Sequence, residues 1–166
     1  MREITIAQAA PRIITQLPKG LFLNVRSGGF DNTMTIGWGL PGIFWGKPSF
    51  AAMVRTSRHT HGMLTDSGVF TVSVPEEGGL AEALRLCGTL SGRDIDKFEK
   101  AGLTKAQAVA VDAPVVAACP LQIECRVLYA QTMDGQLMPR DVQKRMYPAN
   151  DYHVLFYGEA VRVYEA

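Results

Sequence analysis

Hydrophobic and polar residues alternate along much of this chain, a pattern typical of β-strands that bury one face. Several of the alternating stretches run into a glycine or a proline, as strands do where the chain turns. The pattern predicts six strands, at residues 21–26, 33–38, 49–55, 69–74, 121–129 and 151–164.

Two short helices are predicted between the strands from apolar spacing and from capping residues. Residues 58–67 follow Thr56 and Ser57, whose hydroxyls make them good N-terminal caps. Apolar residues at helical spacing predict a second helix over residues 80–87, and Gly88 is expected to cap its carboxyl end.

The remaining segments complete the fold prediction. A third helix is expected over residues 94–101, and residues 133–150 are expected to form a long loop with a helical turn. Prolines and glycines over residues 39–48 predict a loop, with an apolar tip at residues 43–45 that needs a surface to pack on. Many strands with short helices predict a mainly β fold, a closed or nearly closed β-barrel, in one domain over residues 1–166.

Composition excludes several classes of protein. A hydrophobic fraction of 47% and a charged fraction of 20% are ordinary for a soluble globular chain. The net charge of +1 argues against a nucleic-acid or membrane surface binder, and no apolar run approaches the ~20 residues that cross a bilayer. The first residues do not resemble a signal peptide, and the three cysteines show no disulfide spacing, so we expect a cytoplasmic protein.

A buried strand runs straight into two arginines and three hydroxyl residues between residues 55 and 60. A phosphate dianion needs positive charge and several hydrogen-bond donors in a small volume, and a helix N-terminus adds backbone N–H groups. The alternative is that a hydroxyl only caps the helix while the arginines are solvated. The candidate phosphate ligands are Arg55, Thr56, Ser57, Arg58 and Thr60.

The second predicted strand carries groups suited to a flat ring with polar edges. Alternation places Thr33, Thr35 and Gly37 on one face, where hydroxyls can reach ring-edge atoms and the glycine lets a ring approach. Asn32 and Trp38 flank this strand. An ordinary hairpin strand with Trp38 in the core explains the same pattern.

Residues 91–98 form a small-residue turn followed by a helix start, with Lys97 one turn into the helix. A lysine near the pyrimidine end of a flavin would stabilise the negative charge that reduction places at N1 and O2. A solvated surface helix is the alternative. Together the three segments suggest a mononucleotide site, for which flavin mononucleotide (FMN) is the best candidate.

The three histidines do not predict a metal site. On a helix, His59 and His61 point to different faces, and no Cys/His spacing matches a zinc site. His153 starts the last strand and is either a core or surface histidine or a cofactor contact at a barrel mouth. No Walker or dinucleotide glycine pattern occurs, and no nucleophile is paired with a base, so no catalytic residue is identified.

Several blocks of this sequence carry a specific resemblance by their order and spacing. They include Asn-Thr-Met-Thr-Ile-Gly-Trp at 32–38, Val-Arg-Thr-Ser-Arg-His-Thr at 54–60, Cys-Gly-Thr-Leu-Ser-Gly-Arg-Asp-Ile-Asp-Lys-Phe at 87–98 and Asp-Tyr-His at 151–153, with shorter blocks at 18–23, 70–75 and 158–159. Over about residues 17–161 the chain resembles the flavin reductase-like, FMN-binding split-barrel proteins, in particular the flavoredoxin branch.

The resemblance implies a homodimer of split barrels with one FMN per subunit near the interface. It assigns isoalloxazine contacts to Asn32, Thr33, Met34, Thr35 and Trp38. It assigns the phosphate to Arg55, Thr56, Ser57, Arg58 and Thr60, and adds Ser91, Gly92, Lys97 and His153 to the site.

The function that the resemblance implies is electron transfer from NAD(P)H or a redox partner through bound FMN. The flavin is either a held prosthetic group or a substrate that leaves reduced and supplies a monooxygenase. The alternative from another class is an FMN-binding electron carrier with no turnover of its own. Neither nucleic acid nor a membrane is expected as a partner.

Overall fold

The computed structural model describes all 166 residues. Its strands are β1 Arg2–Glu3, β2 Leu21–Ser27, β3 Phe30–Ile36, β4 Gly39–Phe44, β5 Lys47–Arg55, β6 Val69–Val74, β7 Lys105–Gln107, β8 Pro114–Val116, β9 Leu121–Thr132 and β10 His153–Glu165. Its helices are α1 Ile6–Gln16, α2 His59–Ser67, α3 Ala81–Thr89, α4 Lys97–Lys100 and α5 Arg140–Met146, with short 3₁₀ turns at Leu17–Lys19 and Gly135–Leu137. No helix is both long and apolar enough to cross a membrane.

Eight of the strands form one antiparallel sheet in the order β3-β2-β6-β9-β10-β5-β4, with β1 added beside β10. The long β10 pairs with β9 along one side, and with β5 and then β1 along the other. Two register shifts against β9 bend it, as bulges do. The remaining strands, β7 and β8, form a separate hairpin. The predicted mainly β fold is confirmed.

The sheet curls around a core of 23 buried side chains, of which Phe50, Phe70 and Ile123 are fully buried. A second, smaller cluster lies on the outer side of β2, where Phe22 packs under α3 and α4 together with Leu84. β2 is buried on both faces from Leu21 to Val25, and its one buried polar residue, Asn24, donates to Thr71 and Ser73.

Helix α1 precedes the predicted elements, and the sequence analysis makes no prediction for it. Thr5 caps it, and Gln8 completes a capping box by reaching back to the Thr5 backbone. Its buried residues include Ile6, Ala9 and Ile13, which are spaced three and four apart as on one helix face. Cap and spacing were therefore both visible in the sequence.

The predicted loop over residues 39–48 is wrong, because most of it belongs to the hairpin formed by β4 and β5. Trp45 and Gly46 make the two-residue turn with φ of 52° and 73°, the positive values that a tight hairpin turn requires. Pro41 is tolerated because β4 lies at the edge of the sheet, where a missing N–H breaks no ladder.

Two helix predictions need correction, and one is confirmed. Helix α3 continues through Gly88 to Thr89, so Gly88 does not cap it, and Thr35 packs closely against this glycine. The third helix is only α4, and its cap is Asp96, whose carboxylate accepts from the backbone N–H groups of Phe98 and Glu99. Helix α2 ends as predicted at Gly68, which is in the left-handed conformation.

Candidate functional site

Two neighbouring cavities open beside β3, where the chain passes from β5 into α2. We call them the cationic cavity, of about 130 Å³, and the aromatic cavity, of about 180 Å³. Met34 and Arg58 line both cavities, so the two form adjoining parts of one site. The other predicted residues of the cationic cavity are Ser57, Thr60, Ser91, Gly92 and Lys97. Those of the aromatic cavity are Thr35, Trp38, Arg55 and His153.

The cationic cavity carries three positively charged side chains, those of Arg58, Arg93 and Lys97, and no aspartate or glutamate lines it. Neither Arg58 nor Lys97 forms a salt bridge elsewhere in the chain. Burial, and then the positive charges of Arg93 and Lys97, lower the pKa of His59. The lining of the cationic cavity therefore carries a net positive charge.

Lys97 is buried although it is charged. Its Nζ donates to the carbonyl of Cys87 at 3.0 Å, and only 4% of the residue is exposed. Burial, opposed by Cys87 and assisted by the nearby Arg58 cation, lowers the pKa of Lys97 to about 8. A bound anion would reverse part of this shift, because it would stabilise the ammonium.

Asn32 lies beside Gly92 and lines a wider cleft next to the cationic cavity. Its amide Nδ2 donates to Oγ1 of Thr60 at 2.8 Å, and both residues are buried. The amide lies so close to Gly92 that any Cβ there would overlap Oδ1 of Asn32. Gly92 is thus required for close packing.

The aromatic cavity is bounded by Trp38 and His153, whose ring centroids lie 4.9 Å apart. The predicted strand over residues 33–38 is too long at its end, because Trp38 follows β3. The Trp38 side chain is 39% exposed. Nδ1 of His153 lies 2.9 Å from the hydroxyl of Tyr147. Burial, and then the Arg55 cation, lower the pKa of His153 to about 4, so its imidazole is neutral at pH 7.

Neither threonine of β3 has a hydroxyl that is both unbonded and directed into a cavity. Thr35 donates to the carbonyl of Leu84 at 2.6 Å, across the contact with α3. Thr33 is fully buried on the same face, lines neither cavity, and has no partner for its hydroxyl. Their contact with the isoalloxazine stays a prediction.

The side chains of Arg55, Thr56 and Ser57 all donate to Asp151, and Ser57 also lines the cationic cavity. The hydroxyls of Thr56 and Ser57 donate to the Asp151 carboxylate at 3.0 and 2.6 Å. The prediction that Thr56 or Ser57 caps α2 is wrong. The N-cap residue is Arg58, whose side chain makes no capping hydrogen bond. Arg55 donates to the carbonyls of Asp151 and Met146 at 2.7 and 3.0 Å.

Sequence reasoning missed four residues around the site: Met53, Arg93, Tyr147 and Asp151. Met53 could have been found, because it lies two residues before Arg55 on β5 and so shares its face. Arg93 follows the Ser91-Gly92 turn directly. Tyr147 gives no local signal, because its contacts come from a long connection.

A wider cleft of about 920 Å³ adjoins the cationic cavity and shares Arg58, His59, Gly92 and Arg93 with it. Its walls carry four aspartates besides the basic residues, namely Asp31, Asp66, Asp94 and Asp96. This mixed charge makes the cleft a poorer anion site than the small cavity beside it. No cluster of three or more histidines, cysteines or acidic residues that could hold a metal is present.

Comparison with known proteins identifies the class. Residues 17–166 match the family described as flavin reductase like domain, and the chain belongs to that family. A protein of Archaeoglobus fulgidus described as uncharacterized is 33% identical over 97 residues, which are 58% of this chain and 54% of that relative. The chain thus matches only about half the length of this relative.

Two solved structures show the same fold. One is an FMN-binding domain of a flavin reductases-like enzyme from Shewanella baltica, with a TM-score of 0.71 and 20% identity over 99% of this chain and 78% of that one. The other is flavoredoxin of Desulfovibrio vulgaris, with a TM-score of 0.70 and 24% identity over 89% of this chain and 69% of that one. The predicted family and the split-barrel fold are confirmed.

Proposed function

We propose that this chain binds FMN, with the phosphate in the cationic cavity and the ring in the aromatic cavity. One observation carries the proposal: the smaller cavity combines Arg58, Arg93 and Lys97 with no carboxylate. Lys97 is buried while Arg58 and Arg93 are exposed, and a phosphate dianion would pair with all three through charge-assisted hydrogen bonds. Membership of the flavin reductase-like family supports a flavin as the ligand.

The residues present fit both ends of FMN. Hydroxyls of Thr60 and Ser91 line the cationic cavity and can donate to phosphate oxygens, whereas the hydroxyl of Ser57 already donates to Asp151. In the aromatic cavity, Trp38 offers a flat apolar face and Gly37 has no side chain to obstruct a ring. A ligand that spans both cavities would lie along Met34 and Arg58, which line both.

Bound FMN would supply reversible electron transfer, and the chain would supply position and charge. His153 stays neutral and can offer only a hydrogen bond, because its pKa is far below 7. Lys97 lies in the same cavity as Arg58, so we place it near the phosphate rather than at the pyrimidine end that the sequence suggested. Both positions are tested below.

We further propose that the reductant is NAD(P)H or a redox partner and that the protein is a flavin oxidoreductase. Purified protein would be mixed with NADH or NADPH, with and without FMN, while nucleotide oxidation and flavin absorbance are followed. Oxidation that requires FMN is the expected result. An electron carrier would oxidise neither nucleotide, although dithionite would still reduce its bound flavin.

The same material separates a prosthetic flavin from a flavin substrate. FMN that stays with the protein through gel filtration, before and after reduction, indicates a prosthetic group. FMN that elutes separately after reduction indicates a substrate that could supply a monooxygenase.

We propose a homodimer, formed through the apolar tip of the β4–β5 hairpin. Ile43 is 68% exposed and Trp45 is 67% exposed, and Phe44 stacks on Tyr157 with centroids 4.5 Å apart. Apolar surface that is both exposed and contiguous marks an interaction site. Light scattering should give about twice the chain mass of 18.1 kDa.

Matched variants test the dimer surface. Trp45→Ser should shift the mass toward the monomer, while Phe30→Ser, at an equally exposed aromatic on another hairpin, should not. A wild-type mass near 18.1 kDa at micromolar concentration would refute the dimer. The cytoplasmic location expected from the sequence stays a prediction.

A further inference from the structure

The two arginines that flank Thr56 and Ser57 have different surroundings, although the resemblance assigns both to the phosphate. The side chain of Arg58 makes no hydrogen bond or salt bridge within the chain and lines both cavities. The side chain of Arg55 is already engaged on two sides. The contrast raises the question of what Arg55 holds.

Arg55 holds the connection between β9 and β10, residues 133–152, which we call the strap. The two terminal guanidinium nitrogens donate to strap carbonyls, Nη1 to Asp151 and Nη2 to Met146, at 2.7 and 3.0 Å. The guanidinium also lies over the ring of Tyr147, 4.9 Å from its centroid. A planar fork suits two carbonyls at once, which a lysine ammonium cannot reproduce.

Asp151 of the strap takes the donors next to Arg55. Its carboxylate accepts from the hydroxyls of Thr56 and Ser57 and from the backbone N–H of Ser57. These hydrogen bonds lower the pKa of Asp151 against the opposing effect of burial, so the carboxylate is charged at pH 7. An internal anion thus occupies donors that were expected to bind phosphate.

Besides these contacts, backbone hydrogen bonds hold the two ends of the strap, from Thr56 N–H to the carbonyl of Tyr152 and from Met133 N–H to that of His153. No residue of α5 within it is buried, and Tyr147 is its one buried aromatic residue. The hydroxyl of Tyr147 contacts Nδ1 of His153, which lines the aromatic cavity. The position of the strap therefore sets one side of the aromatic cavity through Tyr147 and His153.

We infer that Arg55 is a positioning residue, which docks the strap and so shapes the aromatic cavity, and that Arg58 with Lys97 supplies the positive charge for phosphate. The inference rests on the proposed binding of FMN. In the segment 55–58, residues 55–57 are bonded to Asp151 and hold the strap. Arg58 supplies the charge that binds the ligand. Ser57 joins the two parts, because it also lines the cationic cavity.

Affinity for FMN and for riboflavin separates the two roles, because riboflavin has the ring without the phosphate. Arg58→Gln should weaken FMN about 10-fold or more, as expected for a charged hydrogen bond, and leave riboflavin within about twofold. Arg55→Gln, the matched change three residues earlier, should weaken both ligands by the same factor. Arg55→Lys should behave like Arg55→Gln, because it keeps the charge but loses the fork.

Limited digestion with trypsin measures strap docking without any ligand. The exposed Arg140, Lys144 and Arg145 of α5 offer cleavage sites. The strap should be cut faster in both Arg55 variants than in the wild type, and at the wild-type rate in Arg58→Gln. The measurement remains possible even if a variant binds no flavin.

Three results would overturn the inference. One is that Arg55→Gln weakens FMN alone, another is that Arg55→Lys restores FMN affinity lost in Arg55→Gln, and the third is that trypsin cuts the strap equally in all variants. Should Arg55→Gln fail to fold, Arg55→Lys answers the same question. If the wild type binds neither flavin, the proposed function fails, while digestion still decides whether Arg55 docks the strap.

Discussion

The cationic and aromatic cavities adjoin each other but differ in how their charged side chains are held. In the cationic cavity, Lys97 and Arg58 lie near each other without a carboxylate to balance them. In the aromatic cavity, Arg55 is bonded to carbonyls of the strap, Arg58 is shared with the cationic cavity, and burial keeps the ring of His153 neutral. One end of the site therefore lacks an anion, and the other suits an uncharged flat group.

The difference teaches which ligand the pair can accept. A ligand for both cavities must join an anion to an uncharged ring, as FMN does. Changes in the cationic cavity should then act only on ligands with a phosphate, and changes in the aromatic cavity on any flavin.

Gly92→Ala should give the largest effect. Its Cβ would overlap Oδ1 of Asn32 and displace the amide from Thr60. Overpacking of this kind costs about 1–3 kcal/mol of folding free energy, measured by urea unfolding, and FMN binding should fall with it.

Gly62→Ala is the matched control, because a Cβ there meets no atom within 4 Å and lies in α2. It should be neutral or stabilising, since alanine is the better helix former. Equal stability of Gly92→Ala and Gly62→Ala would contradict the packing of Asn32 on Gly92.

Lys97→Met should weaken FMN about 10-fold and leave riboflavin unchanged, because it removes one charge from the cationic cavity. Lys100→Met, an exposed lysine in the same short helix, is the control and should change neither affinity. Were Lys97 at the pyrimidine end instead, both affinities would change alike, and the midpoint potential of bound FMN would fall.

The pH dependence of binding gives a second test of Lys97. Its pKa of about 8 in the free protein means that the ammonium is lost as pH rises through 8. FMN affinity should therefore fall above pH 8 relative to riboflavin affinity, and this relative fall should be absent in Lys97→Met.

Trp38→Ala tests the other cavity. Loss of one aromatic contact, worth about 0.5–1.5 kcal/mol, should weaken FMN and riboflavin by a similar factor of a few-fold. Fluorescence titration of both ligands measures it. A loss confined to FMN would contradict the placement of the ring against Trp38.

The smallest expected effect concerns His153. Its pKa of about 4 lies below the ordinary 6.5, so the unfolded chain binds a proton first as pH falls. The stability that this histidine contributes is complete above pH 6.5 and is lost between about 6.5 and 4. The charged neighbours Arg55, Asp151 and Arg58 act on the same pKa.

Thermal melts from pH 4 to 7 test that claim. His153→Gln should flatten the fall in melting temperature below pH 6.5. The same slope in His153→Gln as in the wild type would show that other groups cause the acid sensitivity.

Much of the fold could be predicted because local signals agreed with the final packing. β6 was predicted with its observed ends, since an alternating run lies between Gly68 and Pro75. β4 was missed because Pro41 and Gly42 usually indicate a loop. Only its place at the sheet edge, which depends on all the other strands, makes those residues acceptable.

The site was predictable only in part, for a similar reason. Arg58 and Lys97 were found because their segments carry a recognisable order of charged and hydroxyl residues. The engagement of Arg55 was not, because its partners Met146 and Asp151 lie more than 90 residues away, in a connection without a repeating pattern. The sequence shows which kinds of group a side chain can bind, but the fold determines which of those groups lie near it.

The central claim is that the cationic cavity binds the phosphate of FMN. The most direct test is titration of flavin-free protein with FMN and with riboflavin at pH 7, followed by flavin fluorescence. The account predicts that FMN binds at least about 10-fold more tightly, the value of a single charge-assisted hydrogen bond. Equal affinities would contradict it, because the cavity would then contribute nothing to the recognition of phosphate.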